Sequence, residues 1–187
     1  VIAGSGYALQ DWNSTQALSD WVVCQSITGP KSDVIKVLSG IDYIMIDPQF
    51  AQCVPDFNGP IVIGMGGTDP HELTPQALVA LQDIGREVMA MNGQWESIKP
   101  ALDGAALLIG ALGMTAYEAA AAGVPSLLTG WSPDHIMTAE QLEAQGCAQS
   151  LGLWLDFDGA LLRDKVDALL ADELTWKKMS DAGKHLV

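Results

Sequence analysis

Ile61-Val62-Ile63-Gly64-Met65-Gly66-Gly67-Thr68-Asp69-Pro70-His71-Glu72-Leu73-Thr74-Pro75 is the stretch on which the reading of this chain turns. The branched apolar run Ile61 to Ile63 reads as a buried strand. Thr74-Pro75 reads as a helix start, with Thr74 as N-cap and Pro75 at the first helical position. Gly64, Gly66 and Gly67 stand between them, where the strand ends and the helix is about to begin. Glycines accept positive φ and let the backbone approach a ligand, leaving consecutive N–H groups free to face phosphate oxygens. The spacing is neither G-x-G-x-x-G nor a P-loop, since no Lys follows. A tight turn made only for packing is the competing reading of the same glycines.

Working outward, short apolar runs alternate with helical stretches, the pattern of an α/β protein with a parallel sheet covered on both faces. Upstream, Asp20 to Cys24 reads as a strand and Lys31 to Ser39 as a short helix. The apolar stretch Ile41 to Ile46 leads into Asp47-Pro48, and residues 51–60, in a proline-rich run without a clear period, read as a linker. Downstream of the glycine loop, a helix continues from Thr74 to about Ile84 and a strand covers Val88 to Met91, closed by the turn Asn92-Gly93. A helix over Ser97 to Leu102 leads to the strand Ala106 to Ile109. Helix Thr115 to Ala122, ended by Gly123, and strand Val124 to Leu128 come next. The helix His135 to Gln145 ends at Gly146, and strand Ala148 to Leu151 precedes helices Ala160 to Leu170 and Glu173 to Lys184.

With 187 residues and 49% apolar content, the chain can bury a substantial core. Its net charge of −14 argues against nucleic acid as a partner. Between Val37 and Leu162 the only cations are Arg86 and Lys99. An anion bound there must rely on backbone N–H groups and helix N-termini. Cys24, Cys53 and Cys147 fit neither a disulfide framework nor a C-x-x-C site, so a reducing, cytoplasmic home is expected. From Gly104 to Pro133 the only charge is Glu118, which resembles a membrane span in hydropathy. Gly110, Gly113, Gly123, Pro125 and Gly130 break it too often, and it divides better into strand, turn, helix and strand. The chain opens on Val1-Ile2-Ala3-Gly4, which reads as the end of a buried strand and so as a truncated N-terminus.

Glu118 is expected in the first turn of its helix, where a carboxylate can accept two hydrogen bonds from a vicinal diol such as a ribose. Thr115-x-x-Glu118 is equally a capping box, in which Glu118 bonds back to the Thr115 N–H. Both readings stand on spacing alone. Asp134 and His135 sit in the polar turn after a strand, where His135 could contact sugar hydroxyls; alternatively Asp134 caps the helix and His135 is solvated. Asp69 is expected to make an Asx-turn before Pro70, with His71 and Glu72 solvated, in preference to a metal cluster. The tryptophans show no stacking pair at fixed spacing.

The segments Ile61 to Leu81, Ala105 to Thr129 and Ser132 to Gly152 together resemble the C-terminal, Rossmann-like domain of GT-B nucleotide-sugar enzymes. The stretch Gly66-Gly67-Thr68-Asp69-Pro70-His71-Glu72-Leu73-Thr74 is similar to the G-G-[ST]-D-P-x-x-L-T signature of the UDP-sugar hydrolase of pseudaminic acid synthesis and of related spore-coat polysaccharide proteins. Gly113-Met114-Thr115-Ala116-Tyr117-Glu118-Ala119 with Gly123-Val124-Pro125 resembles the G-x-T-x-x-E-A…G-x-P stretch shared with the N-acetylglucosaminyltransferase of peptidoglycan synthesis. The resemblance implies a nucleotide-binding set of Gly66, Gly67, Thr68, Asp69, Gly113, Met114, Thr115 and Glu118, with Glu118 on the ribose. It places Asp134 and His135 on the sugar, where the family carries amide side chains that this chain lacks. It implies UDP or a UDP-sugar as partner, no metal or cofactor, and a role as hydrolase or glycosyltransferase in bacterial surface-polysaccharide or nonulosonic acid synthesis. Residues 1–50 then correspond to a remnant of an N-terminal Rossmann-like domain, which carries the catalytic base in the hydrolase, and 61–187 to the nucleotide-sugar-binding domain. Apolar surface left where the rest of that domain packs makes self-association an expectation.

Overall fold

The structure is a computed structural model that describes residues 2–4, 21–29, 33, 36–91 and 97–187. The fold is α/β, as the alternation implies, and holds two parallel sheets. The larger is built from β4 (Ile61–Gly64), β5 (Val88–Ala90), β6 (Leu107–Ala111), β7 (Ser126–Gly130) and β8 (Ala148–Leu153), in the order β5-β4-β6-β7-β8. The smaller has the order β1-β2-β3, from β1 (Ile2–Gly4), β2 (Trp21–Cys24) and β3 (Lys36–Leu38). The helices are α1 (Leu73–Ala80), α2 (Lys99–Leu102), α3 (Met114–Ala122), α4 (Pro133–Ala144), α5 (Gly159–Leu170) and α6 (Glu173–Leu186).

Each central strand buries both faces, because alternate side chains point to opposite sides and both sides are covered. Ile61, Ile63, Leu107, Ile109 and Leu127 pack with Leu73 and Ala77 of α1, Leu162, Val166 and Leu169 of α5, and Trp176 and Met179 of α6. Val62 and Leu108 turn the other way, onto Leu102, Ala119 and Ala122. Leu128 joins Tyr117, Ala120, Ala139 and Leu142 on that same face. The apolar stretch from Gly104 resolves into β6, α3 and β7, and no helix among the described residues is long and apolar enough to cross a membrane.

Three differences from the expected elements have clear causes. Lys31 to Ser39 was expected to be helical, yet Lys36–Leu38 is a strand, with Val22 facing Val37 in parallel register. That pairing is non-local and overrides local helix preference; residues 30–32 and 34–35, like the Asn92-Gly93 turn, lie outside the described residues. Helix α1 begins at Leu73 rather than after Thr74, so Thr74 is not its N-cap. Helix α2 is a single turn, with Ser97 Oγ accepting from the Lys99 N–H at 3.1 Å.

The stretch between the sheets is packed rather than loose. Phe50 and Cys53 are buried against Ala101, Leu102 and Ala122, and the Val54 N–H donates to Asp103 Oδ1 at 3.0 Å. The smaller sheet also reaches the larger unit directly. After β2, the Ile27 N–H donates to the Tyr117 hydroxyl at 3.0 Å, and the Thr28 and Thr138 hydroxyls lie 2.6 Å apart. All three cysteines are free and buried, and burial pushes the Cys147 thiol up to about 11.

Helix α6 closes the sheet at the edge opposite the strand C-termini, where buried Trp176 donates its indole N–H to Ala106 O at 2.6 Å and packs edge-on to Phe57 at 5.6 Å. Trp176→Ala is expected to cost about 3–5 kcal/mol and Trp176→Phe, which keeps a ring but orphans the carbonyl, about 1–2 kcal/mol. Urea unfolding followed by circular dichroism measures both; equal costs would show that the hydrogen bond carries the whole effect.

Candidate functional site

In an all-parallel sheet every strand C-terminus lies at one edge. Here β4 leads out to β5 on one side, and the chain then returns to place β6 on the other, so the winding reverses between β4 and β6. Ligands of open α/β sheets bind in the crevice at such a reversal. Gly64 and Gly110 face each other at its floor, and a Cβ on Gly110 would come within 2.8 Å of Gly64 O. The two loops that leave this point are the glycine loop after β4 and Leu112-Gly113 before α3.

Gly66 has φ 88°, in the region that favours glycine, and a Cβ at Gly66 or Gly67 would meet nothing within 4 Å. The glycines therefore face open space, not a packed neighbour. Among the described residues, none accepts a hydrogen bond from the N–H groups of Gly66, Gly67 or Thr68. Across the crevice, Gly113 is the N-cap of α3, and helix geometry leaves the first-turn amides of Met114 and Thr115 without helical acceptors. Two sets of free donors thus flank one crevice, and the helix dipole adds positive potential on the α3 side.

Asp69 does something other than the expected Asx-turn. Its Oδ1 accepts from the Leu73 N–H at 3.0 Å and its Oδ2 from the Thr74 N–H at 2.8 Å, so both carboxylate oxygens serve the first turn of α1. Asp69 (φ 35°) and Glu72 (φ 51°) both hold positive φ without being glycine. Such conformations cost about 1–3 kcal/mol each and persist only when the surroundings over-determine them. His71, expected to be solvated, is instead stacked on Trp154, with ring centroids 3.3 Å apart and planes 5° apart, and lies 5.3 Å from Trp131.

Glu118 lies in the second turn of α3, not the first, because the helix starts at Met114. With Gly113 as N-cap, Thr115 cannot be the capping residue, and the capping-box reading falls away. The half-buried carboxyl instead meets the Thr115 side chain; burial raises it from the ordinary carboxylate range, and the Thr115 hydrogen bond partly offsets that rise. Helix α4 is capped by Ser132, whose hydroxyl accepts from the His135 N–H at 3.4 Å, so Asp134 is not the cap and stands exposed in the first turn. His135 Nδ1 accepts from the Trp131 N–H at 3.3 Å, and burial lowers its pKa against an opposing pull from Asp134. The acceptor role at Nδ1 assigns the ring proton of neutral His135 to Nε2.

On the β5 side, a cleft of about 270 Å³ is lined by Gly66, Gly67, Thr68, Asp69, Glu72, Thr74, Pro75, Leu78 and Met91. Gly113, Met114, Thr115, Glu118, Asp134 and His135 lie outside that lining, on the β6 and β7 side of the same edge. Pro75, Leu78 and Met91 were not singled out in the sequence, where they carry no signal beyond ordinary apolar character. Neither central cation is built into the loop: Arg86 donates to Phe57 O and lies over the Phe57 ring, and Lys99 opens α2.

No family model and no curated protein matches the chain. Solved structures do match in fold. The spinosyn forosaminyltransferase SpnP has a TM-score of 0.63 at 14% identity, covering 89% of this chain and 50% of its own. The spinosyn rhamnosyltransferase SpnG, complexed with thymidine diphosphate, has 0.59 at 17% identity, covering 88% and 51%. MurG of Acinetobacter baumannii has 0.58 at 18% identity, covering 98% and 59%. The fold is thus that of half a GT-B glycosyltransferase, and the chain spans about half the length of the structures it matches.

Because burial favours the protonated form of Glu118, its stabilising contribution is complete below its unfolded value of 4.5 and fades as pH rises through the folded pKa. Glu118→Gln keeps the shape and removes the titration. Its melting temperature relative to wild type is therefore expected to rise between pH 4 and pH 7 in scanning calorimetry; a fall over that range would show a carboxylate stabilised by a partner. Asp69→Ala, which leaves two first-turn amides without an acceptor, is expected to cost about 1–2 kcal/mol in urea unfolding.

Proposed function

We propose that this chain is the donor-binding part of a UDP-sugar-processing enzyme, a glycosyltransferase or nucleotide-sugar hydrolase. The feature that carries the proposal is the pair of free-amide sets, Gly66 to Thr68 and Met114 with Thr115, on the two loops that leave the winding reversal. Two donor sets across a single crevice suit two linked phosphates better than one. The ribose sits at Glu118, which accepts from its vicinal hydroxyls, and the nucleobase occupies the cleft with Pro75, Leu78 and Met91 as apolar walls. Asp69 serves this site by shaping the loop through Leu73 and Thr74. The sugar extends toward Asp134 and His135.

In the reaction, water or an acceptor hydroxyl attacks the anomeric carbon and releases its proton to solvent or to a base outside the residues described. The bond from that carbon to the diphosphate oxygen breaks, and the electron pair leaves with the diphosphate. The amides around it stabilise the charge that develops there, at fixed positions that need no reorganisation. The placement in bacterial surface-polysaccharide or nonulosonic acid synthesis rests on the Thr68-Asp69-Pro70 signature. The thymidine diphosphate named for SpnG makes that nucleotide the natural competitor to UDP.

A second reading, a binding module without catalysis, draws on the histidines. His71 is stacked on an indole, His135 is tied to the Trp131 N–H, and exposed His185 pairs with Asp181 O at 2.6 Å. None of these engagements prepares an imidazole as a general base for water. Saturable UDP binding without turnover of any UDP-sugar by the full-length gene product would select this reading.

Titration calorimetry with UDP and with thymidine diphosphate tests the binding claim. We expect one saturable site for UDP, and about tenfold weaker binding in Glu118→Ala, as the loss of a hydrogen-bond acceptor implies. An unchanged dissociation constant removes Glu118 from the site. Because amides rather than Lys or Arg hold the phosphates on a chain of net charge −14, raising salt from low to physiological strength should leave affinity unchanged or improve it. Marked weakening by salt would point to a cationic site instead.

A further inference from the structure

The glycine loop carries an energetic problem that its own hydrogen bonds do not fully solve. Asp69 and Glu72 hold positive φ as non-glycine residues, so the segment between Thr68 and Leu73 is held in an unfavourable shape. The Asp69 carboxylate restrains one end of that segment through the Leu73 and Thr74 amides. The other restraint is the His71 ring, stacked on Trp154 at 3.3 Å and tilted 54° against Trp131 at 5.3 Å.

Those two indoles come from different places. Trp131 follows β7 and Trp154 follows β8, while His71 follows β4, and β4 is separated from β8 by β6 and β7. The loop after β4 therefore reaches past two strand ends to make this contact. Trp131 is also the residue whose N–H fixes His135 Nδ1, one residue before the Ser132 cap of α4. One aromatic cluster thus joins the loop that presents Gly66, Gly67 and Thr68 to the turn that presents Asp134 and His135.

We propose that His71 is a positioning residue. Its stack on Trp154 and tilted contact with Trp131 hold the glycine loop in the shape that receives a diphosphate and tie that loop to the Trp131–His135 turn on the sugar side. This rests on the diphosphate reading of the loop given above. The imidazole works as a flat aromatic surface here.

The test uses His71→Ala and His71→Phe, the second of which keeps a stacking ring. Two readouts are needed: the UDP dissociation constant, and ligand-free amide hydrogen exchange at Leu73 and Thr74, whose N–H groups report whether Asp69 still caps α1. We expect His71→Ala to weaken UDP binding about fivefold and to speed exchange at Leu73 and Thr74, with exchange in β6 unchanged. We expect His71→Phe to restore both to within about twofold of wild type. Wild-type affinity and exchange in His71→Ala would overturn the proposal, as would a His71→Phe variant no better than His71→Ala. If wild type itself binds no UDP, the diphosphate reading fails while the exchange arm still decides whether His71 holds the loop. Should His71→Ala not fold, Trp154→Ala and Trp154→Phe take its place, with the same order expected.

Discussion

The site depends on the parallel pairing of β4 with β6, from Ile61 opposite Leu107 to Gly64 opposite Gly110. Parallel register sends both strands to the same edge, and the excursion of the chain to β5 between them makes that edge the point of reversal. Everything proposed to touch a ligand leaves from there or from the neighbouring strands β5 and β7. Glycine at both ends of the last pair keeps the crevice floor low, since a side chain on Gly110 would press against the Gly64 carbonyl. Burial on both faces holds the pairing, with Ile61, Ile63, Leu107 and Ile109 on one side and Val62 and Leu108 on the other.

Charge explains why the proposed anion site rests on the backbone. The middle of the chain has few cations, and Arg86 is committed to Phe57. Amide dipoles can still hold an anion under these conditions, because they are oriented by the fold and many of them act together. Their aim then becomes the critical property. Loop shape matters more here than it would around a lysine, whose flexible side chain can follow its ligand.

Much of this was legible because it is local. The strand, glycine loop and helix from Ile61 to Ala80 follow from residue spacing, and the division of the stretch after Gly104 follows from its glycines and prolines. Contacts between residues distant in the chain are what spacing cannot show. Lys36–Leu38 is a strand because Trp21–Cys24 lies beside it, and nothing within three residues announces that. Thr74 has the right chemistry for an N-cap, but the helix starts before it, and Asp69 accepts from its first-turn amides at Leu73 and Thr74 from the loop. Spacing allows Glu118 a capping box or a place on a vicinal diol; a helix start at Met114 removes the capping box. The stack of His71 on Trp154 joins residues far apart in the chain, so scattered tryptophans gave no hint of it.

The central claim is that a diphosphate is held by backbone amides on both sides of the β4–β6 crevice. Nitrogen-15 spectra of the labelled chain, recorded while UDP is added, report each of those amides separately. We expect the signals of Gly66, Gly67, Thr68, Met114 and Thr115 to move together along one saturation curve. Shifts confined to other residues, or to one side of the crevice alone, would contradict it.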